Sequence, residues 1–251
     1  MIDSEIKEKR SFLKWFKYKW TTEPLFSTAI ALLIMIILQT LVLGFDYDSV
    51  GNWFISWFNN WINILRNNAG VGIISLGMTF VIISGGIDLA VGSTLVATGA
   101  VIMMLIDDGP KGILKNIGIE GVSAFAITVI LGIGLGYILG TVIGLFITKG
   151  NIPPFIATLG AMKSFRSFTQ HFMQGYNPKV PKGFLQISNF KTGKFMLMPI
   201  IYWVVIAAIL HCISKRSTFG RQVIAVGSNE RAAKLSGVNV SKVKRRVYSL
   251  M

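Results

Sequence analysis

Long apolar runs separated by short polar segments dominate the hydrophobic pattern of the chain. The run at 25–44 holds twenty residues without a charge, and a helix of that length crosses a hydrocarbon core of about 30 Å. Five further runs have a similar character, so the pattern predicts an all-α, polytopic transmembrane helical bundle. The six predicted spans are 25–44, 69–85, 88–106, 122–147, 154–174 and 197–213.

The polar segments set the predicted organisation around a bundle at 25–213. An N-terminal segment at 1–24 precedes the bundle, and a polar loop at 214–246 follows it. Residues 247–251 read as the start of another span, so we expect that further spans are missing from this chain. The tryptophan-rich stretch at 53–65 favours the headgroup zone and is predicted to be interfacial.

The placement of charge gives the bundle an orientation. Only 14% of residues are charged, against roughly a quarter in soluble domains. Fifteen of the 25 Lys and Arg lie at 7–19 and 215–246, and membrane proteins keep such residues on the cytoplasmic side. The N-terminus is therefore predicted to be cytoplasmic. Orientation and contact with anionic lipid headgroups account for the net charge of +14, so no nucleic-acid partner is predicted. This orientation places the loop between the fifth and sixth spans outside. Four lysines in that loop oppose it: Lys179, Lys182, Lys191 and Lys194.

No residue pattern in the chain supports an enzyme. The phosphate-binding loop, the zinc-protease helix and the nucleophile elbow are all absent from the sequence. The single Cys212 excludes an intramolecular disulfide, and His171 and His211 lack ligand-like spacing. We therefore predict no catalytic residue, no metal site and no cofactor held by this chain.

The run GGIDLAVGS at 85–93 places an acidic residue at predicted membrane depth. Gly85 and Gly86 interrupt a helical run, and Asp88 follows them. A carboxylate there faces the bundle interior or water because exposure to lipid is costly. Two interpretations stay open and are compatible: Asp88 caps the third span, or it lines a substrate path together with Ser93.

The run NIPPFIATLGAMKSFRSF at 151–168 places two cations in the fifth span. Lys163 and Arg166 lie one helical turn apart and need water, a partner or snorkelling to the headgroups. Asp88 is a candidate partner, and a position in the inner leaflet is the alternative. Thr158 and Arg166 complete the residues predicted for the substrate path or the structure of the pore.

Four glycines in the fourth span recur at intervals of four and share one helical face. Such a stripe lets helix backbones approach closely in lipid, which predicts tight helix packing. The glycines are Gly132, Gly136, Gly140 and Gly144.

The run at 218–240 is too polar to enter the membrane. Ser228 or Asn229 can cap a short helix, Glu230 suits its N-terminal end, and Gly237 can end it. A capped helix on a cytoplasmic loop suits docking of a peripheral protein, and an ordinary solvated loop is the alternative. The residues predicted for this role are Phe219, Gly220, Arg221, Gly227, Asn229, Glu230, Ala232, Ala233, Leu235, Ser236 and Gly237.

In these three runs the chain resembles the permease subunits of bacterial sugar ABC importers of the ribose, xylose and galactose type. The run at 77–93 is similar to the family pattern GMT-x-V-I-x-x-GGIDLSVGS, with Ala90 in place of Ser. The stretch at 154–162 is similar to PFI-x-TLG-x-M, and the stretch at 219–240 to FGR…A-x-G-x-N-x-x-AA-x-LSG-[IV]-x-V. A later Arg-Gly pair is half matched, because Ser167 follows Arg166.

The resemblance implies the translocation subunit of an ATP-driven importer in the bacterial inner membrane. The cargo would be a monosaccharide such as ribose, delivered by an extracytoplasmic sugar-binding protein. ABC ATPase subunits would bind the ATP and dock on 218–240, and a second permease copy would complete the pore. Two alternatives remain: an ion-coupled secondary transporter, which broken helices and an intramembrane Asp also suit, or a non-transporting truncated remnant.

Overall fold

The computed structural model describes residues 12–44, 49–190 and 195–251. The regular elements in these ranges are α-helices, which confirms the predicted all-α class. The helices are α1 (Phe12–Thr22), α2 (Pro24–Leu43), α3 (Val50–Ile83), α4 (Val91–Leu105), α5 (Ile113–Asn116), α6 (Gly121–Thr148), α7 (Pro154–Met173), α8 (Lys182–Asn189), α9 (Met198–Arg216), α10 (Thr218–Ser228), α11 (Glu230–Leu235) and α12 (Val240–Leu250). Lys191, Lys194 and the first eleven residues of the predicted N-terminal segment lie outside the described residues.

Each predicted span coincides with a helix. Four helices of the described part, α2, α3, α6 and α9, are long and apolar enough to cross a membrane. Helix α4 is apolar but has only 15 residues, and α7 has 20 residues and carries Lys163 and Arg166. The chain is therefore a polytopic membrane protein, and α7 is the most polar of the helices at its predicted spans.

Helix α3 differs from the prediction of a separate interfacial segment at 53–65. The structure joins that stretch to the following span in one helix of 34 residues. The intervening residues, RNNA at 66–69, contain neither proline nor glycine, so nothing in the backbone ends the helix there. A hydrocarbon core needs about 20 residues, so part of α3 extends beyond it.

The first compact unit comprises residues up to 61. Two of its tryptophans donate hydrogen bonds to acceptors near the end of α2. The Trp53 Nε1 donates to the Gly44 carbonyl at 2.8 Å, and the Trp57 Nε1 donates to the Thr40 hydroxyl at 2.9 Å. Buried indole N–H groups usually find such partners, so these two bonds pin the start of α3 to the end of α2.

The second compact unit, 62–251, has two apolar clusters at opposite ends of α4 and α6. The larger cluster joins Ala90 at the head of α4 with Ile147 at the tail of α6 and with Val223 of α10. The smaller cluster joins Leu105 with Leu114 and Ala124. The start of α4, the end of α6 and helix α10 thus meet at one end of this unit.

The predicted polar loop at 214–246 contains helical structure throughout most of its length. Helices α10 and α11 lie within it, and α12 crosses its predicted boundary at 246/247. Helix α10 buries Val223 and Val226, which lie on one face with a spacing of three. The solvated-loop alternative is therefore wrong for α10, because this apolar face packs into the larger cluster.

Candidate functional site

The turn between α3 and α4 uses its two glycines for different reasons. Gly85 has φ +76°, a left-handed conformation that glycine adopts without steric cost. Gly86 faces α12, where a Cβ would lie 2.6 Å from the Tyr248 hydroxyl oxygen. The Gly86 N–H donates to the Val81 carbonyl at 2.9 Å, which closes the turn.

The Asp88 side chain binds the backbone in the turn just before α4, whose N-cap residue is Ala90. It is only 5% exposed, and its Oδ1 accepts from the Ala90 N–H at 2.7 Å. Such a bond satisfies one of the donors that a helix start leaves unpaired. Ion pairs among the described residues join Lys19 with Glu23 and Lys244 with Glu230. The described part of the structure therefore contains no ion pair between Asp88, the candidate partner, and Lys163 or Arg166 of α7.

A cavity of about 510 Å³ lies between α4 and α7, within the size range of small-molecule sites. Four of its lining side chains are polar and four positions are apolar or glycine. Arg166 and Ser93, both predicted for the substrate path, lie here together. The lining residues are Leu89, Gly92, Ser93, Val96, Met162, Arg166, Thr169 and Gln170.

The remaining residues predicted for the path lie elsewhere. Asp88 lines a separate pocket of about 170 Å³ with Tyr248, Thr94 and Thr98. Thr158 is fully buried, and its hydroxyl donates to the Pro154 carbonyl within α7 at 2.8 Å. Of the residues predicted for the substrate path, Ser93 and Arg166 thus line the cavity, whereas Asp88 and Thr158 do not.

Sequence reasoning missed Thr169 and Gln170 as lining residues. They follow Arg166 by three and four positions, so all three share one face of α7. That spacing was the available signal. The sequence does not show that α4 packs against this face of α7, and only that packing places the three side chains in the cavity.

The glycine stripe of α6 faces two different helices. A Cβ at Gly132 would lie 2.5 Å from the Ile102 side chain of α4. A Cβ at Gly140 would collide with the Tyr248 carbonyl of α12, and one at Gly144 would lie 3.0 Å from the Arg245 Cα. Gly136 has no neighbour within 4 Å of a Cβ. Close approach of helix backbones therefore concerns Gly140 and Gly144, whereas Gly132 makes room for a side chain.

The first part of the run predicted for docking forms α10, which packs against the larger apolar cluster. The Phe219 ring stacks on Phe80, with centroids 6.2 Å apart. Gly220 and Gly227 leave room for the carbonyls of Ser214 and Ile83, and Arg221 is exposed. The run therefore splits into a packed helix, α10, and a helix that presents side chains outward, α11.

Helix α11 is short and has a defined cap at each end. The Asn229 side chain accepts from the Ala232 N–H at 2.9 Å, as one of the two predicted caps. Gly237 has φ +83°, and its N–H donates to the Lys234 carbonyl at 3.1 Å. The Val238 N–H donates to the Ala233 carbonyl at 3.0 Å, which completes a Schellman motif.

The outward side of α11 carries an isolated apolar side chain. Leu235 is 85% exposed, whereas Ala233 on the inner side is buried. Glu230, Arg231, Ala232, Lys234 and Ser236 are exposed around it. The outward side of α11 therefore presents one leucine among polar and charged groups, on a helix that is capped at both ends.

Helix α12 is capped by Asn239, whose side chain accepts from the Lys242 N–H at 2.9 Å. The helix then packs along α6 and buries Val243, Val247 and Tyr248.

A buried carboxylate joins the ends of α4 and α7 at the end of the unit away from α11. Asp107 is 1% exposed and accepts from the Tyr176 hydroxyl at 2.5 Å and from the Lys179 N–H at 2.6 Å. Burial acts to raise the pKa of Asp107, but these bonds, one from the Gly109 N–H and the charge of Lys115 lower it overall. The bond to Asp107 in turn raises the pKa of Tyr176.

These pKa directions set a pH window for the contribution of this contact to stability. The lowered pKa of Asp107 stabilises the fold above about pH 4, and that contribution is lost as the pH falls through the folded-state pKa. The raised pKa of Tyr176 stabilises it below about pH 10, and that contribution is lost as the pH rises through the folded-state pKa. We expect Tyr176→Phe to lower the unfolding midpoint in detergent by a constant amount between about pH 5 and 9, and by less above pH 10.

The exposed Tyr137→Phe serves as the control for loss of a phenol hydroxyl. An unfolding midpoint of Tyr176→Phe equal to that of the parent at pH 7 would refute the stabilising role of this contact.

The described residues contain no group of three or more His, Cys, Asp and Glu side chains that could hold a metal ion. The polar features of the site are therefore the cavity lining, the capped turn and the outward face of α11.

Comparison with known proteins gives consistent matches. The profile of the family described as "Branched-chain amino acid transport system / permease component" matches residues 60–251. The ribose import permease protein of Bacillus subtilis (strain 168) is 39% identical over 76% of this chain and 56% of its own length. The corresponding protein of Escherichia coli (strain K12) is 34% identical over 94% of this chain and 68% of its own length. The fructose import permease protein of Rhizobium meliloti is 30% identical over 89% of this chain and 60% of its own length.

This chain thus spans about 56% to 68% of the length of these relatives. No solved structure matches it significantly.

Proposed function

The chain belongs to the transport-permease family of the sugar ABC importers, and on that premise we propose that it forms the translocation path of an ATP-driven importer. The proposed cargo is a monosaccharide such as ribose, passed from an extracytoplasmic binding protein into the cytoplasm. ATP is bound by ABC ATPase subunits that dock on α11, and a second permease copy completes the pore. The protein lies in the inner membrane with its N-terminus in the cytoplasm.

The observation that carries this proposal is the position of α11 relative to the head of α4. Helix α10, which leads into α11, packs on the turn that begins α4, because Gly227 lies against the Ile83 carbonyl. Helix α4 in turn lines the cavity with Ser93. A surface suited to an external partner and a cavity suited to a small polar cargo are therefore joined through packed helices.

The cavity lining favours a hydroxylated cargo. Ser93, Thr169 and Gln170 offer donors and acceptors, and Arg166 offers donors only. Leu89, Val96 and Met162 supply the apolar surface that small-molecule sites use beside a few polar groups. To test cargo, ATP hydrolysis by the reconstituted complex should rise when its binding protein carries D-ribose or D-fructose. No rise with either sugar would contradict a monosaccharide cargo of this class.

Glu230 gives a graded test of the docking role. Its Oε2 lies 2.7 Å from the Lys244 Nζ, and it begins α11, where a negative charge is favourable. Glu230→Lys removes the pair and places a like charge beside Lys244. We expect ATP hydrolysis stimulated by cargo to fall by about tenfold, while insertion into the membrane is unchanged.

The neutral Glu230→Gln is the matched control, because it removes the charge without adding a like charge. An exposed ion pair contributes little, so we expect this variant to retain at least about a third of the stimulation of ATP hydrolysis by cargo. Full stimulation in Glu230→Lys would argue against docking at α11.

A further inference from the structure

Tyr248 of α12 reaches across the unit to the turn that precedes α4. The residue is 2% exposed, and its hydroxyl donates to the Ile87 carbonyl at 3.1 Å. Gly86 makes this approach possible, because a Cβ there would lie 2.6 Å from the hydroxyl oxygen. The bond therefore connects α12 to the residue directly before Asp88.

Helix α12 also contacts α11 through an ion pair and an apolar cluster. The Lys244 Nζ contacts the Glu230 Oε2 at 2.7 Å, and Ala233 shares an apolar cluster with Val240 and Val243. The segment between the two helices closes with the Schellman motif of α11 and the Asn239 cap of α12. Both caps are satisfied, so α11 and α12 form a tight corner with little freedom to flex.

Helix α12 also packs closely on α6. Gly140 and Gly144 admit its backbone, and the hydroxyls of Thr141 and Ser249 are hydrogen-bonded at 2.8 Å. A shift of α12 along this groove would move Tyr248 relative to the turn. The turn would respond at Asp88, whose bond to the Ala90 N–H sets the start of α4.

We infer that Tyr248 is a positioning residue that links the docking helix α11 to the turn 84–90 at the head of α4. Pressure on α11 from a partner moves α12, and the Tyr248 hydroxyl passes the movement to Ile87 and so to the helix that carries Ser93 into the cavity. This link rests on the proposed function, since the partner that presses on α11 is the ATPase.

The test compares Tyr248→Phe with the parent in the full complex in proteoliposomes. Uptake of labelled D-ribose and hydrolysis of ATP are measured on the same preparation. Phenylalanine retains the buried ring and removes only the hydroxyl. We expect uptake per ATP hydrolysed to fall by about threefold to tenfold, the factor that corresponds to one net hydrogen bond, with ATP hydrolysis largely retained.

Tyr202→Phe is the matched control. Its hydroxyl also donates to a backbone carbonyl, that of Ile187 at 2.8 Å, but at an exposed position between α9 and α8. Uptake per ATP in this variant should equal that of the parent. An unchanged ratio in Tyr248→Phe, or a parallel fall of uptake and hydrolysis, would overturn the inference, because a merely structural role lowers both together.

A second readout does not depend on transport. Leu89→Cys in a Cys212→Ser background places a thiol at the end of the turn, where Leu89 is partly exposed. We expect adding Tyr248→Phe to raise the rate of maleimide labelling by about threefold, because the turn loses its anchor. Equal labelling rates would overturn the link. If the parent shows no ATP-driven uptake, the proposed function fails, and the labelling comparison still decides the inference.

Discussion

Leu235→Asp is expected to separate the permease from its ATPase without unfolding it. Leu235 is 85% exposed, so the fold gains little from it and the unfolding midpoint should stay that of the parent. In a docked complex the same side chain would be buried. Burial of a leucine contributes about 1.5–3 kcal/mol, and burial of an unpaired carboxylate costs more. We therefore expect association with the ATPase to weaken by roughly a hundredfold or more.

The measurement is co-purification of the ATPase with a tagged permease in detergent, together with the ATP hydrolysis of the recovered complex. Ile117→Asp is the matched control, because Ile117 is an exposed apolar residue beyond α5, at the end of the unit opposite α11. Ile117→Asp should retain the ATPase. Equal recovery of the ATPase with Leu235→Asp and with the parent would remove α11 from the docking surface.

Gly140→Ala is expected to be strongly destabilising, whereas Gly136→Ala is expected to be tolerated. Both changes add one methyl group to the same face of α6, one turn apart. At Gly140 the methyl would collide with the Tyr248 carbonyl, a backbone atom that cannot rotate away. Overpacking of this kind costs about 1–3 kcal/mol or more. At Gly136 there is open space, and alanine favours the helix by up to about 1 kcal/mol.

Thermal unfolding of the two variants in detergent checks this pair. We expect Gly140→Ala to unfold at a lower temperature than the parent and to expose α12 to protease, and Gly136→Ala to unfold at or above the parent temperature. Similar unfolding temperatures for the two variants would contradict the packing of α12 on α6.

Local signals in the sequence account for much of what the structure contains. The apolar runs predict the helices because a span needs a continuous stretch of such residues. Gly237 ends α11 as predicted, and Asn229 is one of the two predicted N-caps, since both features are decided by residues within one turn of the helix end. The bond of Asp88 to the backbone at the start of α4 is similarly local, because Asp88 accepts from an N–H only two residues away.

Features that depend on distant partners could not be predicted. The face of α10 with Val223 and Val226 was visible in the sequence, but only the packed bundle gives it something to bury against. Charge alone made Asp88 a candidate partner of Arg166, and the structure places Arg166 in the cavity and Asp88 in a different pocket. The role of Tyr248 depends on Ile87, which is 161 positions away in the chain.

Uptake of labelled D-ribose into proteoliposomes tests the central claim most directly. The chain is reconstituted with its ATPase and binding-protein partners, and ATP is supplied on the ATPase side. The proposed function predicts uptake that requires ATP, the ATPase and the binding protein together, and that persists when ionophores collapse the proton and sodium gradients. Uptake that follows an imposed proton or sodium gradient and ignores ATP would contradict it.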